Sequence, residues 1–111
     1  MRLIEQLEAS VAGEESPFRT QLVREDVARL RKLQSLVANT ASRGDFMKEG
    51  MFIGWTQADA RTHQIKDAVA TFLEAFFAYE TGGKSPEDED SLQSAWATFD
   101  AERMEKLIRC L

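Results

Sequence analysis

The histidine at position 63 has the clearest potential for chemistry in this sequence. It is the only histidine, and Asp59 and Asp67 lie one helical turn before and after it. A neutral imidazole between two carboxylates is able to bind a divalent metal or to carry a proton. All three residues fall on the polar side of the helix predicted there. A solvated face with local charge pairing therefore accounts for them without a metal site, which needs enclosure and supporting contacts.

Asp26 is the second candidate, because it falls inside the apolar arc of a predicted helix. A buried acid at this position could form a salt bridge or act as a general base. The plainer alternative is a carboxylate at the edge of the helix that reaches water. No serine has the histidine and the oxyanion loop that a nucleophile requires.

The sequence Gly82-Gly83-Lys84-Ser85 resembles the end of a phosphate-binding loop. That motif requires a preceding strand and an earlier glycine, whereas a helix precedes it here and position 78 is an alanine. The two glycines are better explained as the end of that helix. We therefore expect no catalytic residue, no metal ligand and no cofactor, and the sequence favours a protein that is not an enzyme.

Charge and composition exclude several further classes. The net charge of −5 argues against direct binding of nucleic acid, although residues 17–49 carry seven bases and only four acids. The single cysteine, Cys110, allows neither an internal disulfide nor a cysteine-based zinc site. No apolar run approaches the ~20 residues that span a bilayer, and the first eight residues lack the apolar core of a signal peptide. We expect no membrane association and a cytoplasmic location.

The spacing of apolar residues predicts an all-α fold in a single domain, residues 1–111. We expect an antiparallel bundle of three long helices plus a short N-terminal helix, at about 2–12, 17–42, 57–81 and 86–110. Ser16-Pro17 and Ser85-Pro86 are typical helix starts, because serine caps and proline fits the first turn. Phe18 opens the apolar arc of the second helix. Phe77 and Tyr79 flank the core stripe of the third.

Residues 43–55 are the least ordinary segment. Three glycines, at positions 44, 50 and 54, predict a loop, yet the segment is rich in large apolar side chains. This loop either folds back over the core or forms a docking surface, for which methionine and aromatic residues are well suited. The candidate partner-binding residues are Phe46, Met47, Met51, Phe52 and Trp55.

Without catalytic motifs, the sequence favours a protein–protein interaction module: an adaptor, assembly subunit or regulator that acts through helix faces and the apolar loop. The partner is another protein or a second copy, and apolar residues up to Leu111 favour self-association through the C-terminal helix. The exposed polar or basic face of the second helix contains Arg24, Arg31 and Lys32.

Two alternatives remain open. One is an acidic inhibitor that occupies a nucleic-acid-binding site on a target protein, using the acidic run Glu87, Asp88, Glu89 and Asp90. Helix-start electrostatics explain the same run, since acids are favoured in a first turn. The other alternative is a small metal-binding or acid–base protein that uses His63.

Overall fold

The computed structural model describes the backbone of residues 1–40, 42–53 and 66–109, and the side chains of these residues except 52, 53 and 106–109. The described chain is all-helical and contains no strand. Its helices are α1 (Arg2–Val11), α2 (Pro17–Asn39), α3 (Arg43–Ile53), α4 (Lys66–Thr81) and α5 (Pro86–Arg109). The predicted all-α class is confirmed. The predicted helix start at 57 lies outside the described residues.

Both predicted serine caps are present. The Ser16 hydroxyl accepts a hydrogen bond from the backbone N–H of Arg19 at 3.3 Å, and the Ser85 hydroxyl accepts one from Asp88 at 3.2 Å. Each cap satisfies a backbone donor that the first helical turn leaves free. At its other end α2 stops at Asn39, three residues earlier than predicted, because Thr40 is extended.

The end of α4 confirms the structural interpretation of Gly82-Gly83. The backbone N–H of Lys84 donates to the carbonyl of Tyr79 at 3.1 Å, and Gly83 has a φ of +81°. This is the hydrogen bond of a Schellman cap, in which a left-handed residue favours glycine. These glycines close a helix and leave room for the short turn into α5.

The predicted loop over 43–55 is wrong for residues 43–53, which form α3. Ser42 starts this helix: its hydroxyl accepts from the N–H of Asp45 at 3.2 Å, and its carbonyl accepts from Phe46 at 3.1 Å. Glycine lowers helix propensity by only about 1 kcal/mol, which packing can offset. Gly50 is buried, and a Cβ there would lie 3.3 Å from a Leu73 methyl. The glycine therefore lets α3 approach its neighbours closely.

The core lies where α4 contacts α2, α3 and α5, while α1 covers part of α2. Aromatic rings fill its centre: Phe72 meets Trp96 at 5.3 Å between ring centroids, and Trp96 meets Phe99 at 5.4 Å. Phe18 does not take part, since its side chain is 61% exposed. The apolar arc predicted for α2 therefore begins after Phe18.

Candidate functional site

Asp26 and Arg103 form a buried ion pair that joins α2 to α5. The Nη1 and Nη2 atoms of Arg103 donate to the two carboxylate oxygens of Asp26 at 2.7 and 3.0 Å. Asp26 is 1% exposed and Arg103 is 8% exposed. Of the two roles considered for a buried Asp26, the salt bridge is confirmed. Both carboxylate oxygens of Asp26 accept hydrogen bonds from Arg103, which is the arrangement of a structural ion pair.

Arg103 is also held by its own helix. Its Nη2 donates to Asp100, and Arg19 of α2 approaches the same Asp100 carboxylate at 3.6 Å. The guanidinium lies 5.7 Å from the ring centroid of Trp96 and 5.0 Å from that of Phe99. Burial alone would lower the pKa of Arg103, but hydrogen bonds to and charges on Asp26 and Asp100 outweigh it and raise the pKa. Arg103 therefore stays charged.

Tyr79 is a second buried titratable group. Its side chain is 6% exposed, although the pattern placed it beside the core stripe of α4. Burial raises its pKa, and the negative charges of Glu89, Glu80 and Glu5 raise it further. The phenol is thereby kept in its neutral form, and it contributes a polar group at the edge of the core.

The candidate docking residues of segment 43–55 differ in how deeply their side chains are buried. Phe46 is fully buried and stacks on Phe76 with a centroid distance of 6.1 Å, so the prediction of a docking role for Phe46 is wrong. Its ring belongs to the core because α3 carries it between the rings of α4. Met47 and Met51 are half-buried and pack against this core. The Phe52 side chain and Trp55 lie outside the described residues.

The basic face of α2 lies at the surface, with Arg24, Arg31 and Lys32 all exposed. Arg31 pairs with Glu8 of α1, where Nη2 and Oε1 are 2.7 Å apart. Both partners are more than half exposed, so this ion pair is strongly screened by water. One residue of this basic face, Arg31, therefore contacts α1.

The acidic run at the start of α5 does not form one uniform surface. Glu87 and Asp90 are exposed, whereas Asp88 and Glu89 are half-buried. Glu89 lies 3.6 Å from the guanidinium Nε of Arg2. Acids elsewhere are also interleaved with bases, as in the pair of Glu74 with Arg43. This mixing counts against a phosphate-like row of charges, the feature that an inhibitor of nucleic-acid binding would need.

The metal hypothesis rests on residues that are mostly outside the described ranges. His63 and Asp59 fall there, while Asp67 is exposed in the first turn of α4. Among the described side chains, no group of three acids, histidines or cysteines is placed to hold a metal ion. The role of His63 remains a prediction.

A groove with a volume of about 710 Å³ lies between α4 and α5. Small side chains line it because they recur every three or four residues on one face of each helix. The lining is Asp67, Ala68, Thr71, Asp90, Ser91, Ser94, Ala95, Thr98 and Glu102. This groove was not predicted from the sequence, because the residues that line it are neither large nor reactive. The signal in the sequence is that small side chains recur on one face of α4 and on one face of α5.

Three carboxylates border this groove: Asp67, Asp90 and Glu102. Within the described part of the chain, none of the three has an ion-pair partner, whereas Glu8, Glu74 and Glu89 have one each. The groove thus combines a concave, small-residue floor with negative charge that the described residues do not neutralise. Such a surface attracts a cationic and elongated ligand.

Comparison of this chain with protein-family models, with curated proteins and with solved structures finds no match. None of the described helices combines the length and the apolar character that crossing a membrane would require.

Proposed function

We propose that the chain is a non-enzymatic protein–protein interaction module, and that its docking surface is the groove between α4 and α5. The groove itself carries the proposal, because it is concave, open and bordered by Asp67, Asp90 and Glu102. An open groove leaves a small molecule exposed to water, whereas a partner helix fills its length.

The lining determines which partner fits. Alanine, serine and threonine side chains, as at Ala68, Ala95 and Thr98, are short enough for the backbone of a second helix to approach closely. The three carboxylates then favour lysine or arginine side chains on that helix. The proposed partner segment is therefore a helix with a face of small residues flanked by basic ones.

The proposal includes the predicted arrangement of helices, in which α2, α4 and α5 form an antiparallel bundle and α1 is a short addition. The contacts of α4 with both α2 and α5 support this arrangement. It also includes a cytoplasmic setting and a partner that is another protein or a second copy. Met47 and Met51, which pack against the core, belong to a second proposed contact region. The proposal adds Phe52 and Trp55 to it from the sequence alone.

The test uses a synthetic helical peptide of alanine and lysine, with lysines four residues apart, titrated into the labelled protein by NMR. Asp90→Asn combined with Glu102→Gln should weaken binding about three- to tenfold, since each exposed pair contributes up to ~1 kcal/mol. The matched control combines Glu49→Gln with Glu87→Gln, which removes equal charge from exposed positions outside the groove lining. It should leave affinity almost unchanged.

Two results would contradict the proposal. One is an equal loss of affinity in both double variants, which would reduce binding to general charge attraction. The other is a set of shifted resonances that lies away from α4 and α5. Light scattering across a range of protein concentrations decides between the two kinds of partner, because a strict monomer excludes a second copy.

A further inference from the structure

We infer that residues 100–105 of α5, here called the ionic strap, open from α2 as a unit while the preceding turns of α5 stay packed on α4. The chemistry of the buried side chains changes along α5. The buried apolar side chains of this helix are Leu92, Trp96 and Phe99. After Phe99, Arg103 is the buried side chain among those described.

Among the described side chains, polar groups join the ionic strap to α2. Arg103 donates twice to Asp26, and the guanidinium of Arg19 meets Asp100 at 3.6 Å and the sulfur of Met104 at 3.6 Å. The preceding turns of α5 are held differently, through ring contacts such as Trp96 with Phe72 of α4. One helix is therefore fastened to two neighbours by two kinds of interaction.

These two kinds of interaction respond differently to opening. When an apolar contact opens, apolar surface becomes exposed to water, and no favourable hydration compensates for this exposure. When a buried ion pair opens, both charged groups regain hydration together, which offsets much of the lost attraction. The Nε of Arg103 adds to this difference, because it is buried with no hydrogen-bond partner among the described residues. Opening hydrates that N–H as well.

The strap also covers apolar surface. The guanidinium of Arg103 lies over the rings of Trp96 and Phe99, at 5.7 and 5.0 Å from their centroids. Opening moves this cation away and exposes ring surface of Trp96, which stays in contact with Phe72 of α4. The ionic strap is thus a local two-state element whose open form presents new aromatic surface and an Asp26 carboxylate that has lost its contact with Arg103.

Native-state hydrogen exchange, followed amide by amide in low urea, tests this inference on the wild-type chain. The amides of residues 102–105 should exchange through an opening at least about 100-fold more populated than that of residues 96–99, with little dependence on urea. Protection should change in one step near residue 100. A gradual decrease from residue 109 backwards would indicate ordinary fraying of a helix end, and it would overturn the inference.

A variant that replaces the ion pair provides the second readout. Asp26→Leu with Arg103→Met substitutes apolar side chains for both charges, and it should raise the protection of residues 102–105 towards that of residues 96–99. The matched control is Glu8→Leu with Arg31→Met, which removes an exposed pair and should leave the step in place. An unchanged step in the Asp26/Arg103 variant would overturn the inference. If that variant does not fold, the wild-type step decides alone.

Discussion

Asp26 and Arg103 lie 77 residues apart in the sequence and meet through two hydrogen bonds inside the protein. The carboxylate and the guanidinium match in geometry, so the pair satisfies both Asp26 oxygens and the two Nη atoms of Arg103. A buried pair of this kind contributes little net stability, but the loss of one partner strands the other charge. The pair thereby links α2 to α5.

Asp26→Asn should lower the free energy of unfolding by about 3–5 kcal/mol, because Arg103 then remains buried without its main counter-charge. Replacing both partners, as in Asp26→Leu with Arg103→Met, should leave the free energy of unfolding unchanged or raise it, since neither charge of the buried pair is left without the other. Urea unfolding of the single and double variants measures the difference. If Asp26→Asn and the double variant are equally destabilised, the penalty comes from packing and not from charge.

Phe46 and Phe18 provide a matched pair of substitutions. Phe46 is fully buried between the rings of α4, whereas Phe18 is 61% exposed. Phe46→Ala should cost about 3–5 kcal/mol, since it removes a large core side chain and leaves a cavity. Phe18→Ala should change the free energy of unfolding by less than about 0.5 kcal/mol. Thermal unfolding separates the two, and a stable Phe46→Ala protein would return Phe46 to the docking surface.

Local signals made much of this fold predictable. The serine caps at Ser16 and Ser85 and the glycine end at Gly83 depend on neighbouring residues alone, so they can be identified without tertiary knowledge. Asp26 was recognisable as a charge in an apolar arc, and Arg103 follows Trp96 and Phe99 at helical spacing on one face of α5. What the sequence does not specify is that these two residues meet, because their contact depends on how α2 and α5 pack.

The error at α3 has the same origin. Gly44 and Gly50 disfavour a helix locally, and the prediction gave that preference too much weight. Tertiary packing reverses the outcome, since Phe46 enters the core and Gly50 fits against Leu33 and Leu73. The α4–α5 groove was not predicted either, because it too depends on tertiary packing. A surface made by small residues on two helices becomes visible only when the helices are placed side by side.

Gly50 and Gly44 should respond differently to alanine. A Cβ at Gly44 meets only the Ser42 hydroxyl at 3.9 Å, so Gly44→Ala should stabilise the protein by about 0.5–1 kcal/mol through helix propensity. A Cβ at Gly50 lies 3.3 Å from one Leu73 methyl and 3.6 Å from a Leu33 methyl. Gly50→Ala should therefore gain less than Gly44→Ala, and Gly50→Val should destabilise by about 1–3 kcal/mol. Urea midpoints test the order, and equal gains at both glycines would contradict the close approach of α3.

Tyr79 should make the protein less stable at alkaline pH. Burial, with Glu89, Glu80 and Glu5 nearby, raises the pKa of Tyr79 above its ordinary value of about 10. The unfolded chain then loses the phenolic proton at a lower pH than the folded protein does. This contribution to stability is complete below about pH 10, and it is lost as pH rises from there through the raised pKa of the folded protein.

The measurement is direct because Tyr79 is the only tyrosine. The ultraviolet absorbance of tyrosinate should show a midpoint above about 10 in the folded protein and near 10 in denaturant. Tyr79→Phe is the control, since it cannot ionise, and it should remove the part of the alkaline destabilisation that belongs to this residue. Lysines titrate in both proteins, so the difference between their stability curves isolates the phenol. A folded-state midpoint at or below the denatured value would show that the three carboxylates do not act on a buried Tyr79.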